Sequence, residues 1–273
     1  MIEIIKAIIF GIVQGITEWL PISSTAHLIL LNKIIALDVE PAFWDLFEVV
    51  IQLGSILAVL ILFFNTLNPY AKGKNAKEKE STFRLWLMII VASIPLVIGA
   101  IFDDYIPDSP LVIAFTLILY GIIFIYVERY NKTRKPKIKS LGAIDIKTAL
   151  LIGLFQLLAV IPGTSRSGAT IIGASILGLS RTVSAEFSFF LAIPAMLGAS
   201  GLKLLKYILR TGFSFNANEV IILLVATVVS FVVSLYVIQN LLKYIRKHDF
   251  TIFGYYRIVL GIIILIVFGF KLL

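Results

Sequence analysis

Long apolar stretches separated by short polar connections dominate the sequence. Because about 20 apolar residues are needed for a helix to cross a bilayer, we predict six membrane-spanning helices. They are Phe43–Phe64, Phe83–Phe102, Leu111–Val127, Ser184–Leu209, Glu219–Leu241 and Thr251–Phe270. The pattern predicts an all-α integral membrane protein.

Two further apolar segments, 2–36 and 146–179, are interrupted by Pro, Gly, Ser and Arg residues. Irregular backbone persists at membrane depth only where protein or a water-filled cavity surrounds it. We therefore predict that both segments are re-entrant helical hairpins. In the first hairpin we expect a helix break at Leu20–Pro21, since proline cannot continue a helix, and a second helix starting near 23–25.

The two interrupted segments resemble each other, which indicates an internal repeat. Both have a Gly, a Gln three residues later, a Pro and a hydroxyl-rich turn, in GIVQGITEWLPISSTAHLI (11–29) and GLFQLLAVIPGTSRSGATI (153–171). Gln14 and Gln156 are 142 residues apart. Paired broken helices are typical of inverted-topology repeats, whose site lies where the halves meet. We expect one membrane domain over 1–273, with repeats at about 1–136 and 137–273; two chance helix breaks are the alternative.

The loop charges indicate how the spans are oriented. Loops 65–83, 129–147 and 242–250 carry four, seven and three Lys or Arg residues, whereas 103–110 has three Asp and no cation. Since Lys and Arg are enriched in cytoplasmic loops, we place the three basic loops inside. Loop 203–217 then lies outside although it carries Lys203, Lys206 and Arg210, which is contrary to this enrichment. On this threading the first hairpin enters from outside and the second from the cytoplasm.

Composition supports the membrane class and excludes others. The 273-residue chain is 59% hydrophobic with a mean hydropathy of +1.01, whereas soluble domains have roughly 45–50% apolar residues. The apolar runs are too many for a signal peptide, so we expect the N-terminus to be retained. Cysteine is absent, which excludes disulfides and thiolate chemistry. The net charge of +8 is explained by the basic loops, so we expect no nucleic-acid partner.

The first hairpin carries a dense group of polar side chains in an otherwise apolar segment. They are Gln14, Glu18, Ser23, Ser24, Thr25 and His27. Ionisable groups at membrane depth are costly and are functional candidates by default. The free N–H groups at the start of the second helix suit an anionic ligand. The alternatives are structural: a packing histidine, a buried ion pair for Glu18, and hydroxyls that only cap helices.

The second hairpin supplies PGTSRSG at 162–168, with the only arginine in either polar turn. An arginine fork beside free N–H groups matches a phosphate, although Arg166 could instead snorkel to the interface. We expect the turn around it to bind substrate through Thr164, Ser165, Ser167 and Gly168. Placed opposite Glu18, Ser24 and His27, Arg166 completes a phosphoryl-transfer set of charge clamp, nucleophile and acid or base.

At these residues the sequence resembles the bacterial undecaprenyl-diphosphate phosphatases, also called bacitracin-resistance proteins. The matching motifs are QGITEWLPISSTAH, FEVVIQLGSILAVL, PGTSRSGATI and AEFSFFLAIP, and the resemblance covers essentially the whole chain. It implies removal of one phosphate from an undecaprenyl diphosphate carrier, which recycles the carrier for cell-wall synthesis and confers bacitracin resistance. It also implies a divalent cation, Mg²⁺ or Ca²⁺, and a bacterial cytoplasmic membrane location with the site open to the outer face.

The resemblance assigns roles to particular residues. The family's acidic pair falls on Gln14 and Glu18, its serine and histidine on Ser24 and His27, and its essential arginine on Arg166. Catalysis is thus expected from Glu18, Ser24, His27 and Arg166, substrate binding also from Ser23 and Thr25, and cation binding from Glu18 with Gln14. The family's pattern at the acidic pair is Q/E-x-x-x-E, so Gln14 is a permitted variant that weakens a two-carboxylate metal site and leaves Glu18 as the main ligand. Ala26 stands where the family often has glycine. Glu48 and Glu186, in the other two motifs, have no assigned role.

Two other functions share features with this sequence. A polyprenyl-phosphate transporter or flippase would share the inverted repeat but would release no phosphate. The lipid phosphatases with SGH and SR-x₅-H motifs need a second histidine, and the residue six after Arg166 is Ile172. The expected partners are polyprenyl diphosphate and membrane lipids. Whether Ser24 or His27 attacks, which cation binds and whether the chain forms a homodimer are left open.

Overall fold

The computed structural model describes residues 1–99, 109–212 and 216–269, and twelve α-helices lie in this part of the chain. Their bounds are α1 Ile2–Thr17, α2 Ser24–Ile34, α3 Pro41–Val50, α4 Gln52–Leu62, α5 Phe64–Leu67, α6 Ala76–Gly99, α7 Pro110–Lys132, α8 Ile146–Leu157, α9 Arg166–Ile176, α10 Arg181–Thr211, α11 Ala217–Ile245 and α12 Thr251–Gly269.

Six segments are long and apolar enough to cross a membrane: α3 with α4 (Pro41–Leu62), α6, α7, α10, α11 and α12. They confirm the six predicted spans and the all-α membrane class. Residues 100–102 and 270 of the predicted spans, and the acidic residues Asp103, Asp104 and Asp108, lie outside the described residues. The predicted loop 203–217 is wrong in its first half, because α10 continues to Thr211 and ends at Gly212 with φ +73°. Lys203, Lys206 and Arg210 are therefore helical.

The two interrupted segments form helix–turn–helix units, α1 with α2 and α8 with α9. The longest of these helices has 16 residues, about 24 Å at 1.5 Å per residue, which is shorter than the bilayer core of about 30 Å. In both units the first helix ends shortly before the proline. It ends at Thr17, four residues before Pro21, and at Leu157, five residues before Pro162. The break thus precedes the predicted Leu20–Pro21, because a proline ring clashes with the carbonyl four residues earlier. That both units are re-entrant stays a prediction.

The first helix of each unit packs against a helix from the other half of the chain. α1 packs along α11, and α8 packs along α6. Gly11 lies against the carbonyl of Ala226, and Gly153, 142 residues later, lies against the carbonyl of Ala92. A side chain at either glycine would overlap that backbone, so both permit close helix approach. This reciprocal packing supports the inverted repeat and brings the two helix breaks together; the boundary at 136–137 stays a prediction.

Candidate active site

The two helix breaks share an unusual backbone geometry. Ser23 and Ser165 have φ angles of 72° and 69°, and no other non-glycine residue of the described chain has a positive φ. Such angles are costly for residues with a Cβ and cluster at functional sites. Each serine precedes the first residue of the second helix, which is Ser24 in α2 and Arg166 in α9. The turns therefore present a hydroxyl and a guanidinium from positions 142 residues apart.

An ion pair joins the two units. Arg166 Nη2 lies 3.2 Å from Glu18 Oε1, and the two side chains are 11% and 6% exposed. Arg166 Nη1 donates to the carbonyl oxygen of Ser188 at 2.8 Å, while Arg166 Nε has no partner among the described residues. The guanidinium lies inside the protein, so Arg166 does not snorkel. The Nε–H group of Arg166 can therefore donate a hydrogen bond to an anionic ligand.

The Glu18 carboxylate is the centre of the hydrogen bonds in this site. Its Oε2 accepts from the Gln14 side-chain amide at 2.9 Å and from the Ser24 hydroxyl at 2.8 Å. Gln14 reaches Glu18 because the two residues lie one helical turn apart. A hydroxyl that donates to a carboxylate has the arrangement of a nucleophile beside a general base. The geometry is compatible with both expectations for Glu18, a catalytic group and a cation ligand.

His27 contacts groups other than Ser24. Its Nδ1 lies 2.7 Å from the carbonyl oxygen of Ser23, and its Nε2 lies 2.7 Å from the hydroxyl of Tyr256, whose ring stacks on the imidazole. Because a carbonyl oxygen only accepts, Nδ1 carries the proton, and in the neutral imidazole Nε2 accepts from Tyr256. The hydrogen bonds of His27 in the described chain therefore do not include Ser24, whose hydroxyl donates to Glu18. Tyr256 was missed because the sequence does not distinguish it from Tyr255.

The hydroxyls of the second turn connect the two units and cap α9. Ser167 Oγ lies 3.3 Å from the carbonyl oxygen of Glu18 and 3.2 Å from Ser165 Oγ. Ser165 Oγ also accepts from the backbone N–H of Gly168 at 3.2 Å. Ser165 is therefore an N-cap, as the structural alternative predicted, and Ser167 ties α9 to the first turn. Thr164 is fully buried, whereas Thr25 is exposed in the first turn of α2.

A second buried arginine, which sequence reasoning missed, bridges the two turns. Arg257 of α12 is 0% exposed and donates to the carbonyl oxygens of Pro21 at 3.2 Å and of Gly163 and Thr164 at 2.9 Å. Carbonyls at helix breaks lack intrahelical donors, so Arg257 satisfies both breaks at once. The signal was present in TIFGYYRIVLG (251–261), since a lone arginine inside an apolar span is a functional candidate.

The donor set around Glu18 fits a cation that also binds phosphate. Gln14 Oε1 is buried without a partner in the described part of the chain, and it belongs to the amide that already contacts Glu18. The described part of the chain contains no group of three His, Cys, Asp or Glu side chains that could hold a metal ion without further ligands. Mg²⁺ commonly uses one or two carboxylates and completes its shell with substrate phosphates and water. Glu18 and Gln14 would hold such a cation.

The fold and the site together define a multi-pass membrane protein with a hydroxyl, a carboxylate and a guanidinium brought together between two broken helices. The family described as bacitracin resistance protein BacA matches residues 7–263. The chain belongs to this family.

Curated relatives agree with this assignment over nearly the full chain. Undecaprenyl-diphosphatase 1 of Clostridioides difficile (strain 630) is 58% identical over 98% of this chain and 97% of its own. Undecaprenyl-diphosphatase of Enterococcus faecalis is 52% identical over 97% of both chains. The Streptococcus thermophilus (strain ATCC BAA-250 / LMG 18311) protein of the same name is 51% identical over 100% of this chain and 96% of its own.

Proposed function

We propose that this chain hydrolyses undecaprenyl diphosphate to undecaprenyl phosphate and inorganic phosphate. The relatives that match it over nearly its full length are named for this activity. The observation that carries the proposal is the Ser24 hydroxyl held 2.8 Å from the Glu18 carboxylate, with Arg166 paired to the other oxygen of that carboxylate. A nucleophile, a base and an anion clamp are what transfer of a terminal phosphoryl group requires.

Substrate binding follows from the charges and free donors at the two turns. The diphosphate would lie between α2 and α9, whose N-terminal N–H groups and Arg166 favour phosphate. Its polyprenyl tail would extend between the spans into the bilayer. When bound, a divalent cation held by Glu18 and Gln14 would neutralise charge on the phosphoryl oxygens.

Ser24 is the nucleophile in this proposal, because its hydroxyl donates to Glu18 whereas both nitrogens of His27 are engaged. Ser24 Oγ attacks the terminal phosphorus as Glu18 takes its proton. The bond from that phosphorus to the bridging oxygen breaks, and undecaprenyl phosphate leaves with the bonding electrons. Glu18 passes the serine proton to the departing undecaprenyl phosphate. A water then attacks the phosphoserine and gives a proton to Glu18. The bond from phosphorus to Ser24 Oγ breaks, Glu18 returns that proton to Ser24, and inorganic phosphate leaves. The His27–Tyr256 pair positions that water through the Tyr256 oxygen, which can still accept a hydrogen bond.

We further propose that the protein lies in the bacterial cytoplasmic membrane with this site open to the outer face. The support is the threading from the basic loops, which brings the first hairpin in from outside. Recycling of the lipid carrier for cell-wall synthesis and bacitracin resistance would follow from the reaction.

The test is phosphate release from C15 and C55 polyprenyl diphosphates by purified protein. We expect release by the wild type, its loss with chelator, and its loss in Glu18→Ala, Ser24→Ala, His27→Ala and Arg166→Ala. Ser93→Ala is the matched control, because Ser93 is also a helical serine, and among the described residues it donates within its own helix, to the carbonyl of Ile89. A wild type that releases no phosphate yet moves the lipid across vesicles would favour the transporter alternative.

A further inference from the structure

A polar cavity of about 1000 Å³ lies at the C-terminal ends of helices α7, α9 and α11 and at the starts of α10 and α12. Seven Lys or Arg side chains and two acidic side chains line it. We call it the basic cavity. Its walls come from residues 175–182 and from the loops 129–147 and 242–250. The charge pattern places both loops in the cytoplasm.

The basic cavity is separate from the candidate active site. Helix α9 begins at Arg166 in the active site and ends at Ile176 on the cavity wall. Those ten steps along a helix correspond to about 15 Å. The cavity therefore lies towards the opposite end of the same helix.

The acids of the basic cavity do not neutralise its cations. Glu128 is occupied by Arg181, whose Nη2 lies 2.7 Å and Nε 3.1 Å from Oε2, and Glu128 also accepts from the backbone of Phe250 at 3.2 Å. Arg181–Glu128 is the only ion pair within 4.0 Å that the cavity contains in the described part of the chain. Of the acids that line the cavity, Asp249 remains. The lining also contains six further Lys or Arg side chains, among them Lys135, Lys137 and Lys247. A phosphate-bearing anion would relieve the repulsion among them.

The position of the cavity identifies the source of that anion. It lies where four spans end, which is the depth of lipid headgroups. Ile176 and Ile252 on its rim are 46% and 56% exposed, so an apolar surface continues from the cavity to the outside of the helix bundle. Basic pockets between spans on the cytoplasmic side bind anionic lipid headgroups. We propose that the basic cavity binds the phosphate of an anionic phospholipid of the cytoplasmic leaflet, with the acyl chains along Ile176 and Ile252.

The experiment is thermal unfolding of the full chain in detergent, with dioctanoyl phosphatidylglycerol, dioctanoyl phosphatidylcholine or inorganic phosphate added. The variant is Lys135→Gln/Lys137→Gln/Lys247→Gln. Its matched control, Lys72→Gln/Lys77→Gln/Lys79→Gln, removes the same charge from another basic segment. We expect phosphatidylglycerol to raise the wild-type Tm by roughly 3 °C or more and phosphatidylcholine to raise it less.

The two variants decide the proposal. We expect the phosphatidylglycerol shift to be lost in the cavity variant and kept in the control. Equal loss in both would show a general surface-charge effect, and a shift that survives in the cavity variant would place the lipid elsewhere. A full shift with inorganic phosphate and none with phosphatidylglycerol would assign the cavity to a free anion. Each of these three results overturns the proposal.

Discussion

Arg257 donates from Nη1 to the carbonyl oxygen of Pro21 at 3.2 Å, across 236 residues of sequence. Its Nη2 donates to the carbonyl oxygen of Gly163 at 2.9 Å. One side chain from the last span therefore holds the breaks of both units in a fixed relation. Ser24 and Arg166 follow those breaks by a few residues. In the proposed mechanism Arg257 therefore fixes the position of Ser24 relative to Arg166 without contacting either by these bonds.

Arg257→Lys keeps the charge but loses the planar fork that reaches carbonyls of both turns. We expect kcat to fall roughly 100-fold, because misplacement by about 1 Å costs that much, while KM changes little. The measurement is steady-state phosphate release, with gel filtration and Tm to show that the variant folds. A folded Arg257→Lys protein with wild-type kcat would show that the bridge is dispensable for positioning.

Ser24→Ala and Glu18→Gln test the nucleophile and its base. We expect each to lower kcat roughly 1000-fold or more, and the double variant to be no worse than Ser24→Ala, because residues that act as a unit are not additive. Rapid quench with ³²P-labelled substrate should trap a labelled protein in the wild type and none in Ser24→Ala. Label that remains in Ser24→Ala but disappears in His27→Ala would transfer the nucleophilic role to His27.

Arg166→Ala should damage stability as well as activity, because it leaves Glu18 buried without its ion-pair partner. Removing one member of a buried pair costs about 3–5 kcal/mol. We expect Arg166→Ala/Glu18→Ala to recover a large part of the lost Tm but none of the activity. Recovery of Tm shows that the pair observed at 3.2 Å is coupled in the protein; independent, additive losses in Tm would contradict it.

Tyr256→Phe removes the hydroxyl that donates to His27 Nε2 and keeps the stacked ring. We expect kcat to fall roughly tenfold with KM unchanged, since the imidazole loses the partner that orients it. Tyr255→Phe is the control, because Tyr255 is the neighbouring tyrosine and is 52% exposed. Equal kcat values for the two variants would remove Tyr256 from the proposed mechanism.

The sequence predicts the spans, the two broken units and the residues at their turns, because apolar run length and proline position are local signals. It also brings Glu18 and Arg166 together through the inverted repeat. The partner of the Ser24 hydroxyl could not be predicted, since it depends on the positive φ of Ser23, which no periodicity encodes. Arg257 was missed for a different reason: its partners are backbone carbonyls, and their availability at a helix break depends on tertiary packing.

Gln14→Glu tests the cation site, because it places a second carboxylate one helical turn from Glu18. In the variant the amide hydrogen bond to Glu18, 2.9 Å in this structure, gives way to repulsion between two carboxylates one helical turn apart. A divalent cation relieves that repulsion, so its affinity should rise. We expect the free Mg²⁺ concentration for half-maximal phosphate release to fall roughly tenfold, by analogy with the effect of ligand charge count on Ca²⁺ affinity. We also expect the Tm of the variant to fall with chelator and recover with Mg²⁺.

Gln156→Glu, at the equivalent position of the second unit, is the control, since Gln156 donates to the carbonyl of Ala92 rather than to an acid. An unchanged Mg²⁺ dependence in Gln14→Glu, with both variants folded, would place the cation away from Gln14 and Glu18.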